Sequence, residues 1–325
     1  MNNKFGWCFI GASKIAEKCA SEILKGDNSY IASIWNRTKS KAVEFAKKYH
    51  CKQYDDVLEA INDPNVEGVY IALTNNLHYE YMKLCILNHK PVLCEKPFTM
   101  CEDEAKEIFE LAKVHNVYVA EAMWTWFNEP ANKIKEWVNN FKIGQIKSVK
   151  CSFGFPGVTP INKVERLINP NLLGGCLLDI GVYGLRYSLE LFGEPEKIET
   201  KGKLYKTGMD IDEKIIFHYP NFDVIHIFSV TKLLFETYKI KGDEGTITSN
   251  MFHMAKHVSL KSKEEKIDFS VDNNLYERQF DIVSKEIREG LLTSRLVSKE
   301  NTIKCMKLMD ICRQELGVIY PKEIK

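Results

Sequence analysis

The chain has 325 residues, with 45 Lys+Arg against 44 Asp+Glu, and is 45% hydrophobic and 27% charged. A charge so nearly balanced, with no basic stripe interleaved with aromatics, excludes an electrostatic footprint for nucleic acid. No apolar run approaches the ~18 residues of a membrane span, and the length suits two domains with a large core.

The amino terminus, Met1-Asn2-Asn3-Lys4, enters a strand without the apolar stretch of a signal peptide, so the expected location is the cytoplasm. Ten cysteines run from Cys8 to Cys312 without a C-x-x-C pair. Cys8, Cys85, Cys94 and Cys176 lie inside apolar runs, as buried reduced thiols would. Zinc is not expected on this spacing. His253 and His257 could share a helix face, but strand-like residues surround them and no third ligand is evident, so no metal is expected.

Phe5–Ile10 reads as a buried parallel strand ending at Gly11. A helix follows to about Lys25, and Gly26 ends it. A glycine at a strand-to-helix turn lets backbone approach a pyrophosphate whose charge sits at the helix amino end. The turn reads Gly11-Ala12-Ser13-Lys14-Ile15-Ala16, with serine where the second glycine of G-x-G-x-x-G/A belongs. The next strand, Tyr30–Trp35, ends in Asn36-Arg37-Thr38. No Asp or Glu occurs from Trp35 to Lys41. Arg37 and Lys41 therefore suggest a 2′-phosphate, and NADP(H) over NAD(H).

Helix Lys39–Tyr49, a short strand at Lys52–Tyr54 and helix Asp55–Ile61 follow, with Asp55 as the expected cap. Strand Val66–Leu73 leads to Thr74-Asn75-Asn76-Leu77-His78 and a helix to about Asn88. The strand at Val92 ends in Glu95-Lys96-Pro97. That stretch is either a surface salt bridge closing a strand or a catalytic lysine at the carboxyl edge of a parallel sheet. Helix Glu102–His115 and strand Val117–Glu121 complete an alternation that means a doubly wound parallel sheet.

After Glu121 the pattern changes. Aromatic Met123-Trp124-Thr125-Trp126-Phe127 precedes a helix from about Glu129 to Asn140 and a strand at Ile146–Phe155. Gly174-Gly175 opens a helix running to about Phe192, on which Asp179 and Tyr183 share a face. The glycines at 174, 175 and 181 imply that something comes close to this backbone. From Lys197 to about Ile267 strands follow strands, which reads as an open antiparallel sheet. Helices Asn274–Glu289 and Lys299–Leu316 close the chain. The expected class is α/β: an N-terminal Rossmann doubly wound parallel sheet over residues 1–122, then a C-terminal α+β domain with an open, mostly antiparallel sheet over 123–325.

The Gly11–Ala16 turn, Ile71-Ala72-Leu73…His78, Glu95-Lys96-Pro97, Glu121-Ala122-Met123-Trp124 and Gly174-Gly175…Asp179-Ile180-Gly181-Val182-Tyr183 together resemble the Gfo/Idh/MocA oxidoreductase family. The resemblance spans nearly the whole chain. The last two segments are similar to its dimeric dihydrodiol dehydrogenase branch. It implies a nicotinamide dinucleotide in the first domain and an alcohol or carbonyl substrate, often a sugar or cyclic diol, between the domains. Cofactor binding would then involve Gly11, Ser13, Lys14 and Ile15; Asn36, Arg37 and Lys41; Leu73, Thr74, Asn75 and His78; and Glu95, Lys96, Pro97 and Trp124.

On the same resemblance Lys96 stands beside the nicotinamide, Pro97 shapes the loop that seats the ring, and Asp179 and Tyr183 match the substrate-side helix. A free tyrosine, with a pKa near ~10, is too weakly acidic to act as a base at neutral pH, and a nearby ammonium lowers that value. Lys96 would supply the charge, Tyr183 would exchange the proton of the alkoxide, and Asp179 would orient the substrate hydroxyl or the tyrosine. Four positions depart from the pattern: Ser13, Thr74 where relatives often have proline, Leu173 within the usual run of glycines, and Trp126 where this branch commonly has arginine. A planar indole cannot replace guanidinium donors.

The expected function is hydride transfer between NADP(H), or NAD(H), and a hydroxyl/ketone carbon of a small sugar, polyol or cyclic diol. The alternatives are a dinucleotide-binding sensor or scaffold without turnover, and a sugar hydrolase using tightly held NAD. The free face of the open sheet predicts a homo-oligomer, most simply a dimer.

Overall fold

The structure, a computed structural model, describes residues 4–271 and 275–323. Met1-Asn2-Asn3 and Asn274, which the sequence reading used, lie outside them. The chain divides into two compact units, residues 1–127 with 274–302 and residues 128–273 with 303–325.

The first unit alternates β1 (Phe5–Ile10), α1 (Lys14–Ile23), β2 (Ser29–Trp35), α2 (Lys39–Tyr49), β3 (Lys52–Gln53), α3 (Val57–Ile61), β4 (Gly68–Ile71), α4 (His78–Leu87), β5 (Val92–Glu95), α5 (Glu102–His115) and β6 (Val119–Ala122). Its six strands are parallel in the order β3-β2-β1-β4-β5-β6. Every residue of β1, β4, β5 and β6 is buried, as strands covered on both faces require. On α1 the buried residues are Ala16, Cys19, Ala20 and Ile23, the single stripe of a helix packed on a sheet. Helix α5 carries Glu102, Asp103 and Glu104 in its first turn and Lys113 and His115 in its last, complementing its dipole at both ends.

One cap falls a residue later than the sequence suggested. Asp56, not Asp55, accepts the N–H groups of Leu58 and Glu59, at 2.7 and 3.1 Å. Asp55 is drawn away by Lys39 and Gln53, at 2.5 and 2.8 Å.

The second unit contains α6 (Glu129–Asn139), β7 (Ile146–Gly154), α7 (Glu165–Ile168), α8 (Val182–Phe192) and the strands β8 (Lys197–Leu204), β9 (Asp210–Tyr219), β10 (Phe222–Ser229), β11 (Leu234–Gly242), β12 (Gly245–Asn250), β13 (His257–Ser262) and β14 (Lys266–Ser270). The sheet order is β14-β13-β12-β11-β7-β10-β9-β8. All its pairings are antiparallel except β7 with β10, which bring together the start and the middle of the unit. The strand region runs a little beyond the expected end at about Ile267, because Lys266–Ser270 forms the edge strand β14. Helix α8 lies directly on the sheet: a Cβ on Gly184 would stand 2.6 Å from Phe228 Cζ and 2.8 Å from Cys151 Sγ, so only glycine allows the approach.

Two helices end the chain, α9 (Glu277–Arg288) and α10 (Lys299–Leu316). Residues 275–302 fall in the first unit, whereas the sequence division assigned everything beyond 122 to the second. The reason is Phe280 of α9. Its ring lies 5.2 Å from Trp7, 6.0 Å from Phe9 and 5.0 Å from Tyr70, closing the aromatic core over β1 and β4.

Candidate active site

Because the strands of the first unit are all parallel, the segments leaving β1, β2, β4, β5 and β6 share one edge of the sheet. Gly11 ends β1 with φ at 107°, and a Cβ there would stand 2.6 Å from the Ala72 carbonyl oxygen. Only glycine tolerates both conditions. Ser13, standing where a second glycine was missed, caps α1: its hydroxyl accepts the Ala16 N–H at 3.3 Å. The first-turn N–H groups of Lys14 and Ile15 face the amino end of that helix, where an anion is favoured. Glu17 does not spoil the site. Burial pulls its pKa up, but Lys48 and the Tyr49 hydroxyl outweigh it, holding the carboxylate below its ordinary range.

Asn36 joins the first two turns. Its Oδ1 accepts the Ala12 N–H at 3.1 Å while its amide nitrogen donates to the Thr38 carbonyl at 3.0 Å. Arg37 and Lys41 lie exposed beside it. After β4, His78 buckles two loops together. Its Nδ1 lies 2.8 Å from the Pro97 carbonyl oxygen and its Nε2 3.3 Å from that of Leu73. The shorter contact assigns the proton to Nδ1. Burial lowers the pKa of this ring, which keeps it neutral. Thr74 donates to Asn76 Oδ1 at 2.7 Å, and Asn75 follows in the same turn.

At the end of β5 the Lys96–Pro97 peptide is cis and Lys96 is half-buried. Glu95 is not the exposed partner of a surface salt bridge. Its carboxyl is buried and accepts the Tyr70 hydroxyl at 2.5 Å. Burial pushes its pKa up to about 7, against the opposing pull of Tyr70 and Lys96. Trp124, after β6, is buried with its ring 4.4 Å from Tyr276. Trp126 is buried too, at 1% exposure.

In the second unit, Leu173 (φ 52°) and Gly175 (φ 116°) turn the chain into a π-helical segment, Leu177–Gly181, that continues as α8. The close approach that the glycines implied comes from the protein itself. A Cβ on Gly175 would stand 2.2 Å from Asp210 Oδ1, and one on Gly174 would stand 2.6 Å from the Arg166 carbonyl oxygen. Asp210 also accepts the Leu177 N–H at 2.7 Å. With Cys176 and Glu213 it forms a buried cluster whose ligand atoms lie within 4.8 Å of one another. Burial, reinforced by the Asp210 charge, raises the Glu213 pKa well above the carboxylate range, so Glu213 is held protonated.

The simple α-helical picture of Asp179 and Tyr183 needs correction. The π segment is wound with i→i+5 bonds, and Asp179 is taken by a residue the sequence reading passed over. Arg166 Nη1 and Nη2 donate to its two oxygens at 2.7 and 3.1 Å, a bidentate fork. Burial opposes the charge on Arg166, but Asp179 outweighs it and raises the guanidinium pKa. Tyr183 is buried at 6% exposure, with the His253 ring 5.4 Å away. His253, weighed in the sequence only as a metal ligand, sits in a turn and contacts Glu236; His257 begins β13 and lies 3.5 Å from Asp268. Arg166 and Glu236 carry no spacing signal that would have singled them out. All ten cysteines are free, and among the described residues no helix is long and apolar enough to cross a membrane.

A family model described as an oxidoreductase family with an NAD-binding Rossmann fold matches residues 5–123, and the GFO/IDH/MocA C-terminal domain matches residues 131–248. The chain is similar over 98% of both lengths, at 26% identity, to a scyllo-inositol 2-dehydrogenase (NADP(+)) of Bacillus subtilis. It is similar, at 29% identity over 99% of this chain and 100% of the relative, to a trans-1,2-dihydrobenzene-1,2-diol dehydrogenase of Xenopus laevis. Among solved structures it is similar in fold to a 3-ketoreductase of Actinomadura kijaniata crystallised with NADP. The TM-score is 0.84 at 19% identity, covering 96% of this chain and 98% of that one.

Proposed function

We propose, from the premise that this chain belongs to the Gfo/Idh/MocA family of NAD(P)-dependent oxidoreductases, that it prefers NADP(H) and interconverts a hydroxyl and a ketone on a small polyol, sugar or cyclic diol. The observation that carries the reading is the single carboxyl edge that collects Gly11, Asn36, Arg37, His78 and Lys96. The residues fit a dinucleotide: the amino end of α1 suits a pyrophosphate, and the Asn36-Arg37 turn offers cations rather than the acid that would take a 2′-hydroxyl. Curated relatives named for NADP(+) and for cyclic diols support the same choice.

When bound, the nicotinamide supplies or accepts the hydride. The remaining work belongs to the chain. Arg37 and Lys41 hold the 2′-phosphate, with Ser13, Lys14 and Ile15 at the pyrophosphate. His78 fixes the loops carrying Leu73, Thr74 and Asn75 on one side and Glu95, Lys96 and Pro97 on the other, and Trp124 closes the end of β6. Tyr183 exchanges a proton with the substrate oxygen, Lys96 supplies positive charge beside the nicotinamide, and Asp179, clamped by Arg166, orients the helix that bears Tyr183. The first unit acts as the dinucleotide-binding domain and the second as the substrate and assembly domain. The test is NADPH oxidation and NADP+ reduction across a panel of sugars, inositols and cyclic diols. Turnover with at least one class, lost in Lys96→Met and Tyr183→Phe, is expected. NADPH binding without turnover anywhere on the panel would instead support a sensor or scaffold.

We also infer a homodimer and a cytoplasmic location. On β10, Ile225 and Ile227 alternate toward one face, Ile225 opposite Lys150 of β7 and Ile216 of β9, and Ile227 opposite Lys214 of β9. Ile227 is 44% exposed, an apolar strip that a second copy would cover. The ten free cysteines suit a reducing compartment. Light scattering at micromolar protein should give twice the mass of one chain; a monomer would remove the dimer.

A further inference from the structure

The second unit holds a histidine–carboxylate pair against Tyr183 that no step above uses. Glu236 Oε1 accepts twice from one residue, from the His253 backbone N–H at 2.9 Å and from the His253 ring, whose Nδ1 lies 2.6 Å away. One oxygen therefore fixes both the main chain and the side-chain rotation of His253. The turn is further constrained by left-handed backbone on either side, at Met251 (φ 49°) and Ala255 (φ 46°). So held, the imidazole lies between two rings. It stacks on Phe153 of β7, with centroids 4.9 Å apart and planes 21° apart, and tilts against Tyr183 at 5.4 Å and 58°.

Packing alone does not account for this. A phenylalanine would fill the same gap between Phe153 and Tyr183 without a carboxylate that is only 9% exposed. Keeping an acid so desolvated costs free energy that a purely apolar wall avoids. What the acid adds is a fixed angle of the ring. A phenol that hands over a proton must be placed to within a fraction of an ångström, and a neighbouring ring held by its own nitrogen and by its main-chain N–H defines that position better than one free to rotate.

We propose that His253, locked by Glu236, is a positioning residue that sets the orientation of Tyr183. The proposal rests on the reading of Tyr183 as the proton donor for its kinetic consequence, but its structural content is independent of that reading. Loss of the imidazole should let the Tyr183 ring rotate, and a misplacement of about 1 Å costs on the order of 10²-fold in rate.

The test pairs kinetics with a probe on the tyrosine itself. Full-length protein is labelled with fluorotyrosine, and the Tyr183 resonance is assigned by its absence in Tyr183→Phe. In His253→Ala the line should shift and broaden, kcat should fall by about 10-fold or more with KM within about threefold, and NADPH affinity should be unchanged, since the change lies outside the first unit. His253→Phe, which restores a ring without the Glu236 lock, should recover the line position in part and kcat only in part. Glu236→Gln should broaden the line with a smaller loss of kcat. An unshifted, sharp Tyr183 line in His253→Ala overturns the proposal, as does full recovery of both readouts by His253→Phe, which would make the ring a filler. Full turnover by Tyr183→Phe would defeat the functional reading instead, and the fluorine line would still decide the positioning claim.

Discussion

The two units solve the problem of placing chemistry in opposite ways. In the first, candidate groups sit where backbone topology delivers them, each just past the end of a parallel strand. Gly11, Asn36, Leu73 and Lys96 would occupy that edge with almost any packing beneath them. In the second, position depends on side-chain pairs from distant parts of the chain: Arg166 on Asp179, Glu236 on His253, Asp210 on the Gly175 turn. In the first, loss of a group that only holds the cofactor, unlike Lys96 beside the reacting ring, should appear as a loss of affinity. The second should register the same kind of loss as misplacement, and hence as a loss of rate.

The sharpest way to break that contrast is to remove the groups proposed to react. Tyr183→Phe should lower kcat by ~10²–10⁴-fold, the span that general acid–base groups supply, with NADPH binding intact by fluorescence titration. Lys96→Met should lower kcat over a similar range. Equal losses of cofactor affinity in both variants would erase the distinction between the units.

Arg37→Ala tests the affinity side. A charge-assisted hydrogen bond is worth about 1.5–3 kcal/mol, so the NADPH Kd should rise by roughly 10–10²-fold with NADH affinity unchanged. A parallel rise for NADH would mean that Arg37 does not meet a 2′-phosphate.

Arg166→Lys comes next in size. A lysine keeps the charge but not the fork, so Asp179 would be held by one contact instead of two. A fall in kcat of about threefold to tenfold is expected, larger for Arg166→Ala, without change in NADPH Kd. Unchanged kcat in Arg166→Ala would leave the clamp with no role in turnover.

These pairs also mark how far the sequence could be read. Buried strands such as Phe5–Ile10, the α/β alternation and the helices Lys39–Tyr49, Glu102–His115 and Lys299–Leu316 were legible because periodicity and end signals are local. The parallel sheet edge followed from them by topology. Arg166, Glu236 and Asp210 were not legible. Each is an ordinary polar residue whose meaning lies in a partner 13, 17 or 33 residues away. The π turn at Leu177–Gly181 was hidden for a related reason: it depends on Asp210 reaching back to the Leu177 N–H. Phe280 likewise looked like one more apolar helix position until its ring closed the aromatic core over β1 and β4 of the first unit, far away in sequence.

The smallest expected effect falls on Glu95, the one residue of the first edge that behaves like the second unit's pairs. Its folded pKa of about 7, raised chiefly by burial from an ordinary 4.5, means that folding takes up a proton there. The associated stability is fully present below the unfolded value and is lost as pH rises toward the folded one, a shift on the order of 3 kcal/mol across the window. Glu95→Gln keeps an acceptor for the Tyr70 hydroxyl but cannot titrate. Between about pH 5 and about pH 8 the urea midpoint of the wild type should therefore fall relative to that of Glu95→Gln, since the buried histidines titrate alike in both. The same change of midpoint with pH in the wild type and in Glu95→Gln would mean that folding takes up no proton at Glu95, and would make the residue an ion-pair partner of its strand edge rather than a buried acid hydrogen-bonded to Tyr70.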